Sequence, residues 1–269
     1  MGVPLARWSM RELARHLVTL GLVPAIAGTT VWRWLKSDRL KPWRYHFWQH
    51  SVDPDFLARA TAVLRLYEAA HQLVQAGTWV VCADEKTSIQ ARDGVDTPQS
   101  AQPGQPVHVA PRYTRRGAVQ LFAGLSVADG RIFGLCQERK RFVDFQAFIT
   151  DSLVPEALDR RVKDLALILD NGSTHAPKQL EAWLLEQARA CQWPFTITVY
   201  WLPTYASWLD QVEIWFSVLQ RKLLTPNDFP STTVLGQQIL AFIARHNDTA
   251  RPIAWSYTAE KLILKFGTN

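Results

Sequence analysis

Two short apolar segments, each ending in an aspartate, constrain the fold of this chain more than any other feature of its sequence. Thr78-Trp-Val-Val-Cys-Ala-Asp84 is rich in β-forming residues, and Leu165-Ala-Leu-Ile-Leu-Asp170 is apolar up to its aspartate. Such runs are typical of strands buried within a sheet. We therefore expect both aspartates at strand ends, in a sheet whose faces are covered by helices.

The segments around these two strands predict an α/β fold. A further pair of strands on either side of Asp129-Gly130 predicts a hairpin. The expected strands comprise residues 78–84, 118–127, 131–136, 165–170 and 195–202, and the expected helices begin near residues 54, 142, 177, 209 and 232. The polar stretch 92–116 is expected to be a loop. Residues 53–269 thus predict one domain, a mixed sheet flanked by helices.

The first 52 residues predict a separate, small helical segment. Ser9 and Glu12 form a capping box that begins a helix, which Gly21 can end. Residues 28–36 predict a second helix, capped by a threonine. Two short helices joined by a turn are typical of a helix-turn-helix, so we assign residues 1–52 as a DNA-binding segment.

Charge and composition limit the class of protein. The chain has 30 Lys and Arg against 24 Asp and Glu, and the resulting net charge of +6 favours a polyanionic partner without establishing one. No apolar run has the roughly 20 residues needed to span a bilayer, and the N-terminus lacks a signal-peptide pattern. Three widely spaced cysteines indicate no disulfide framework. We expect a cytoplasmic protein without membrane segments.

Three carboxylates indicate a metal site. Asp84 and Asp170 follow strands whose carboxyl ends meet at one sheet edge, and Glu213 lies on an apolar helix that can turn it inward. Oxygen-only ligands suit Mg²⁺, with Mn²⁺ as a substitute, and two such ions support phosphodiester cleavage. The alternatives are that the aspartates cap turns and that Glu213 lies on a solvated helix face.

Three motifs resemble those of bacterial insertion-sequence transposases of the mariner superfamily. They are Val81-Cys-Ala-Asp-Glu-Lys86, Ile168-Leu-Asp-Asn-Gly-Ser-Thr-His175 and Pro203-Thr-Tyr-Ala-Ser-Trp-Leu-Asp-Gln-Val-Glu-Ile-Trp215. The resemblance runs from about Thr29 to the end of the chain. It implies an RNase H-like catalytic domain in which Asp84, Asp170 and Glu213 are the catalytic, metal-binding acids.

The resemblance also implies supporting residues and shows two departures from the family. Asn171 and His175 match a recurrent Asp-Asn…His pattern and would position the active-site loop or a phosphate; for His175 a purely structural hydrogen bond is an equal alternative. Asp210 replaces a more usual Asn and could compete as a metal ligand. The N-terminal segment has room for about one helix-turn-helix, where relatives usually have two.

The implied activity is DNA transposition. Such an enzyme cleaves the terminal repeats of its element and joins the 3′-hydroxyls to target DNA, by family resemblance at a TA site. It acts as a homodimer on double-stranded DNA, here in the bacterial cytoplasm at the nucleoid. Trp32 and Trp34 are expected in the core or an interface. The candidate DNA-contacting residues are Thr29, Thr30, Arg33, Lys36, Lys41, Arg44, Arg112, Arg115 and Arg116.

Two other functions fit the same sequence. One is a catalytically inactive, truncated transposase that only binds DNA, against which the presence of all three carboxylates argues. The other is a different nuclease of the same fold, since a fold does not set the substrate. The N-terminal helix pair favours duplex DNA.

Overall fold

A computed structural model describes residues 3, 7–38, 53–96, 100–109 and 111–267. The chain divides into two compact units, residues 1–50 and residues 51–269, which are described separately. The predicted DNA-contacting residues Lys41 and Arg44 lie outside the described residues.

The described part of the first unit is a pair of short helices, α1 (Met10–Thr19) and α2 (Gly28–Ser37). Ser9 and Glu12 form the predicted capping box of α1. The predicted threonine cap of α2 is wrong, because Ala27 is the N-cap residue and no side chain bonds to the free N–H groups there. The threonines at positions 29 and 30 lie inside the first turn instead.

The two helices approach closely where α2 begins. A Cβ atom at Gly28 would lie 3.2 Å from the backbone of Met10, so a larger residue would push the helices apart. Val31 is buried on this side. Trp32 and Trp34 are 43% and 50% exposed, so they do not lie in a core; their alternative placement in an interface stays a prediction.

The second unit contains a five-stranded mixed sheet in the order β3-β2-β1-β4-β5. β1, β2 and β3 are antiparallel, whereas β4 and β5 run parallel to β1. The strands are β1 (Thr78–Gly94), β2 (Tyr113–Ser126), β3 (Ile132–Gln137), β4 (Asp164–Leu169) and β5 (Thr196–Trp201). The predicted hairpin and buried strands are thus confirmed.

Helices cover both faces of this sheet. One core contains residues of α3, α7, α8 and α9 and the strand residues Val80 and Cys82; the other contains residues of α4, α5 and α6 with Val81 and Ala83. This alternation follows from the two-residue period of a strand. The helices are α3 (Phe56–Ala76), α4 (Phe142–Phe148), α5 (Val154–Asp159), α6 (Leu180–Ala190), α7 (Val212–Lys222), α8 (Thr232–Asn247) and α9 (Ala259–Phe266), with a π-helical turn (Ile149–Leu153) between α4 and α5.

The first two strands are longer than predicted. β1 does not end at Asp84 but continues to Gly94, and β2 begins at Tyr113, so that the two ends of the predicted loop, residues 92–94 and 113–116, belong to a two-stranded arm. Its pairing continues to Gly94 opposite Tyr113. Polar side chains hide this arm from a hydrophobicity pattern, while the backbone hydrogen bonds that hold it together do not depend on side-chain type.

The β2–β3 turn fixes one end of the sheet. Gly130 has a φ of +74°, and a Cβ atom there would overlap the carbonyl of Arg251. Glycine is the residue that tolerates both constraints. No helix within the described ranges is long and apolar enough to cross a membrane.

Candidate active site

Asp84 lies in the middle of β1, where the sheet narrows. The parallel pairing of β1 with β4 ends at Cys82 opposite Ile168, while the antiparallel pairing with β2 continues past Asp84. The Asp84 Oδ1 accepts the N–H of Glu85 at 2.7 Å. Burial and the negative charge of Asp170 raise the pKa of Asp84 from 3.8 to about 7. A carboxyl group in this state readily exchanges its proton for a cation.

Asp170 follows the last residue of β4 and is held by two hydrogen bonds. Its Oδ1 accepts the N–H of Gly172 at 2.8 Å and lies 2.7 Å from the Nδ1 of His175. The hydrogen bond from His175 lowers the pKa of Asp170 against the opposing effect of burial. Both bonds engage Oδ1, which leaves Oδ2 as the oxygen available to a ligand.

His175 is fully buried between two carboxylates. Its Nδ1 contacts Asp170, and its Nε2 lies 3.3 Å from the Oε2 of Glu85, a distance typical of an ion pair. Burial lowers the pKa of His175, but the bonds to Asp170 and Glu85 outweigh it and raise that pKa from 6.5 to about 10. His175 is therefore a buried imidazolium at neutral pH.

Glu85 completes this arrangement from the strand side. Its Oε1 accepts a hydrogen bond from Thr174 at 2.9 Å and lies 3.7 Å from the Nζ of Lys140. Burial opposes the ionisation of Glu85, yet the bond to His175 keeps its pKa below 4.5. Glu85 belongs to the motif Val81–Lys86, but its pairing with His175 depends on the three-dimensional structure and was not predicted from the sequence.

The acidic groups fit a divalent cation. Within the described ranges, one group of three side chains has its possible ligand atoms within 4.8 Å of one another: Asp84, Glu85 and His175. A protonated imidazole has no lone pair for a metal, so His175 is excluded as a ligand while it remains an imidazolium. The carboxylates of Asp84 and Glu85 remain from this group, and Asp170 is close enough for its charge to raise the pKa of Asp84. Repulsion among such carboxylates is the kind that Mg²⁺ or Mn²⁺ relieves.

Asp210 is a fourth carboxylate, which lies close to the first. It is 1% exposed, its Oδ1 accepts the N–H of Val212 at 3.0 Å, and its Oδ2 is buried with no hydrogen-bond partner among the described residues. Burial and the charge of Asp84 raise the pKa of Asp210 well above 3.8. The side chain thus caps the N-terminus of α7 and stays close to the site.

Glu213 lies in the first turn of α7 and is exposed. The expectation that it turns inward is wrong, because the apolar stripe of α7 is formed by Val212, Trp215, Phe216 and Leu219, which leaves Glu213 at the edge of that stripe. Its charge contributes to the raised pKa of Asp210. Glu213 borders the site without belonging to the three-residue group described above.

Two polar contacts position the loops that carry these residues. The side chain of Asn171 donates to the carbonyl of Leu202 at 2.6 Å, joining the loop after β4 to the loop after β5. The hydroxyl of Tyr67 on α3 donates to the carbonyl of Leu209 at 2.9 Å, one residue before Asp210. The start of α7 is thereby fixed from the core.

Most of the predicted arginine contacts with DNA are occupied within the protein. Arg112 binds Asp96 at 2.9 Å, and Arg116 binds Asp93 at 2.6 Å. Arg115 lies on β2 and is exposed. On α2, the Arg33 guanidinium donates to Thr30 at 3.4 Å, while Lys36, like Thr29, is exposed. The first two arginines are thus partly neutralised by carboxylates of the β1–β2 arm.

The fold and the acidic site define an RNase H-like domain, a class in which carboxylates gather at the centre of a mixed sheet. Residues 79–235 match the model of the DDE superfamily endonuclease family. The chain belongs to this family. The match begins within β1 and ends within α8, so it includes all three predicted catalytic acids.

Solved structures share the fold. The chain is similar to the Mos1 mariner paired-end complex with Mn, at a TM-score of 0.53, 15% identity, and coverage of 96% of this chain and 71% of that one. It is also similar to the Mos1 transposase paired-end complex with left transposon end, at a TM-score of 0.52, 15% identity, and coverage of 91% and 73%. No curated protein matched by sequence.

Proposed function

We propose that this protein is a metal-dependent DNA transposase that cleaves and rejoins DNA at the ends of its element. The observation that carries the proposal is the acidic pair Asp84 and Asp170 within a DDE superfamily endonuclease domain, with the pKa of Asp84 raised to about 7. Membership in the family supports nuclease chemistry, and the Mos1 relatives, named as transposon-end complexes, support transposition.

Asp84, Asp170 and Glu213 are the proposed catalytic and metal-binding acids. Mg²⁺, or Mn²⁺ in its place, is the proposed cofactor, since Mos1 complexes are named with each of these ions. Two bound ions would activate the attacking water or 3′-hydroxyl and stabilise the leaving oxygen. His175 contacts the Oδ1 of Asp170, which would leave the Oδ2 of that residue to hold the cation, and Asn171 holds the loop after β4 by its bond to Leu202.

The proposed substrates are the terminal repeats of the element and a TA-containing target in bacterial DNA. Thr29, Thr30, Arg33 and Lys36 on α2 are the proposed contacts to duplex DNA, with Arg115 as a further phosphate contact. The names of the Mos1 relatives as paired-end complexes support a dimer on two DNA ends. Light scattering that detects only one protein per DNA end would contradict this assembly.

The decisive experiment compares nicking of supercoiled plasmid in Mg²⁺ and in Mn²⁺ by the wild-type protein and by Asp170→Ala. Asp159→Ala, which replaces an exposed carboxylate at the end of α5, is the matched control. We expect metal-dependent nicking in the wild type and the control and none in Asp170→Ala. Equal nicking by all three proteins would mean that a contaminating nuclease is responsible.

The exposed position of Glu213 favours a second candidate, a DNA-binding protein without catalysis. In that case pre-cleaved element ends would be bound but never joined to target DNA. A strand-transfer assay with such ends separates the candidates, because it requires the acidic site without requiring the first cleavage.

A further inference from the structure

A groove extends from Glu213 along the β1–β2 arm. One cavity of about 490 Å³ is bordered by Lys86, Arg92, Tyr113 and Gln220, and a second of about 220 Å³ by Lys86, Glu213, Gln220 and Arg221. The two cavities share Lys86 and Gln220 and therefore lie next to each other; we name them together the β1–α7 groove. It begins at the proposed catalytic acid and ends at an aromatic side chain.

Cations outnumber carboxylates in this groove. Its three carboxylates are Asp96, which binds Arg112, Asp228, which accepts the N–H of Gly94 at 3.0 Å, and Glu213 at the entrance. Lys86, Arg92 and Arg221 have no carboxylate within 4.0 Å among the described residues. Three cations without a carboxylate partner, next to an acidic site, attract a polyanion that extends away from that site.

Arg92 is prepared for an anionic ligand. Its guanidinium lies over the ring of Tyr113 at 4.7 Å, and its Nε is buried without a hydrogen-bond acceptor. The nearby polar backbone is already satisfied, because Asn227 accepts the N–H of Arg92 at 3.0 Å and donates to the carbonyl of Gln90 at 2.8 Å. The Nε is closed to solvent, so the terminal N–H groups of the guanidinium are the ones that can donate to a phosphate oxygen, an acceptor that a guanidinium binds well.

The groove combines aromatic and cationic surface. The exposed part of Tyr113 lies at its far end, and Lys86 approaches the ring of Phe216 at 6.0 Å near Glu213. Basic side chains that follow a backbone, together with aromatic faces beside them, are the pattern of single-strand binding.

We propose that the β1–α7 groove binds a single DNA strand, with Arg92 and Arg221 on its phosphates and Tyr113 against a base. This inference rests on the proposed function, because it identifies the strand as the DNA next to the bond that is cut. Glu213 at the groove entrance then places the strand beside the acidic cluster.

The test measures binding of a fluorescein-labelled oligothymidylate by anisotropy in EDTA, so that cleavage does not contribute. Arg221→Ala removes an exposed cation and leaves the core unchanged. Arg189→Ala, on α6 at the opposite face of the sheet, is the matched control. We expect weaker binding for Arg221→Ala and a fall of about 0.7 in the slope of log K against log salt, with the control unchanged.

Arg92 is tested with two variants. Arg92→Lys keeps the charge and loses the terminal N–H groups of the guanidinium, so we expect it to retain the salt slope while binding more weakly than the wild type. Arg92→Gln loses the charge, so we expect both a smaller salt slope and weaker binding than in the wild type. Thermal melts of both variants verify folding, and a variant that does not fold leaves Arg221→Ala to decide.

Equal affinities for Arg221→Ala and Arg189→Ala would overturn the groove proposal. That failure is separate from failure of the proposed function. Loss of nicking in Asp170→Ala with unchanged strand binding by the groove variants would refute the groove and keep the transposase. Weaker strand binding by the groove variants, together with a wild-type protein that neither cleaves nor joins DNA in metal, would keep the groove and refute the transposase.

Discussion

Replacement of His175 is expected to change stability in a manner that depends on pH. The side chain is 0% exposed and lies between Asp170 and Glu85, and its pKa is raised from 6.5 to about 10. A group whose pKa is raised on folding stabilises the protein fully below its unfolded pKa, and that contribution is lost as the pH rises through the folded value. The stabilisation by His175 is therefore lost over the pH range from 6.5 to about 10.

The magnitude follows from these two values. The rise in pKa corresponds to roughly 4 to 5 kcal/mol of stability at pH 6, of which roughly 1 to 2 kcal/mol remains at pH 9. His175→Gln also loses the ring contact with Phe145 at 4.6 Å, but that loss does not vary with pH. The stability difference between wild type and variant should therefore shrink by roughly 3 kcal/mol between pH 6 and pH 9.

Urea unfolding followed by tryptophan fluorescence measures this difference, at four pH values in EDTA. His71→Gln is the control, because His71 is exposed on α3. We expect its difference from wild type to stay small and constant. A His175→Gln difference that is also constant from pH 6 to pH 9 would refute the buried imidazolium.

Three further results are expected. Mn²⁺ binding, measured by calorimetry, should tighten by about tenfold per pH unit up to pH 7 and then level off, because Asp84 must lose its proton; a pH-independent affinity would contradict this. Asp210→Asn should raise the free energy of unfolding by about 1 to 3 kcal/mol at pH 8 and by less toward pH 4. The reason is that a carboxyl group whose pKa is raised on folding destabilises the folded protein increasingly as the pH rises, and a variant that is less stable than the wild type at pH 8 would contradict this. Gly130→Ala should lower the melting temperature, since its φ of +74° and the carbonyl of Arg251 both oppose a Cβ atom, and an unchanged melting temperature would show that the turn adapts.

The sequence predicted the sheet, including the strands that carry Asp84 and Asp170, because strands depend on local pattern. Apolar runs that end at Asp84 and Asp170 indicate buried strands wherever they occur in a chain. The length of β1 was missed because its second half alternates weakly and is held by backbone pairing with β2. Such pairing leaves little trace in composition.

The interactions around the site were not predictable because they join distant segments. The contact of Glu85 with His175 requires the turn after β4 to pack against β1, and no local rule sets that geometry. The pairing of Arg112 with Asp96 depends on the register of the arm. The helix that carries Glu213 was predicted correctly, but the exposure of Glu213 depends on which side of α7 packs against the core.

The strand order has a consequence for how the protein is made. Thr78 pairs with Asp164, and Asp164 pairs with Thr196, so the parallel half of the sheet closes only after the chain has been synthesised well beyond its middle. α7, which carries Glu213, emerges later still. A chain cut short before α7 would have its N-terminal helix pair, Asp84 and Asp170 but not Glu213, which α7 supplies. Under the proposed function, truncated copies of this protein would compete for the same DNA while lacking one of the three proposed catalytic acids.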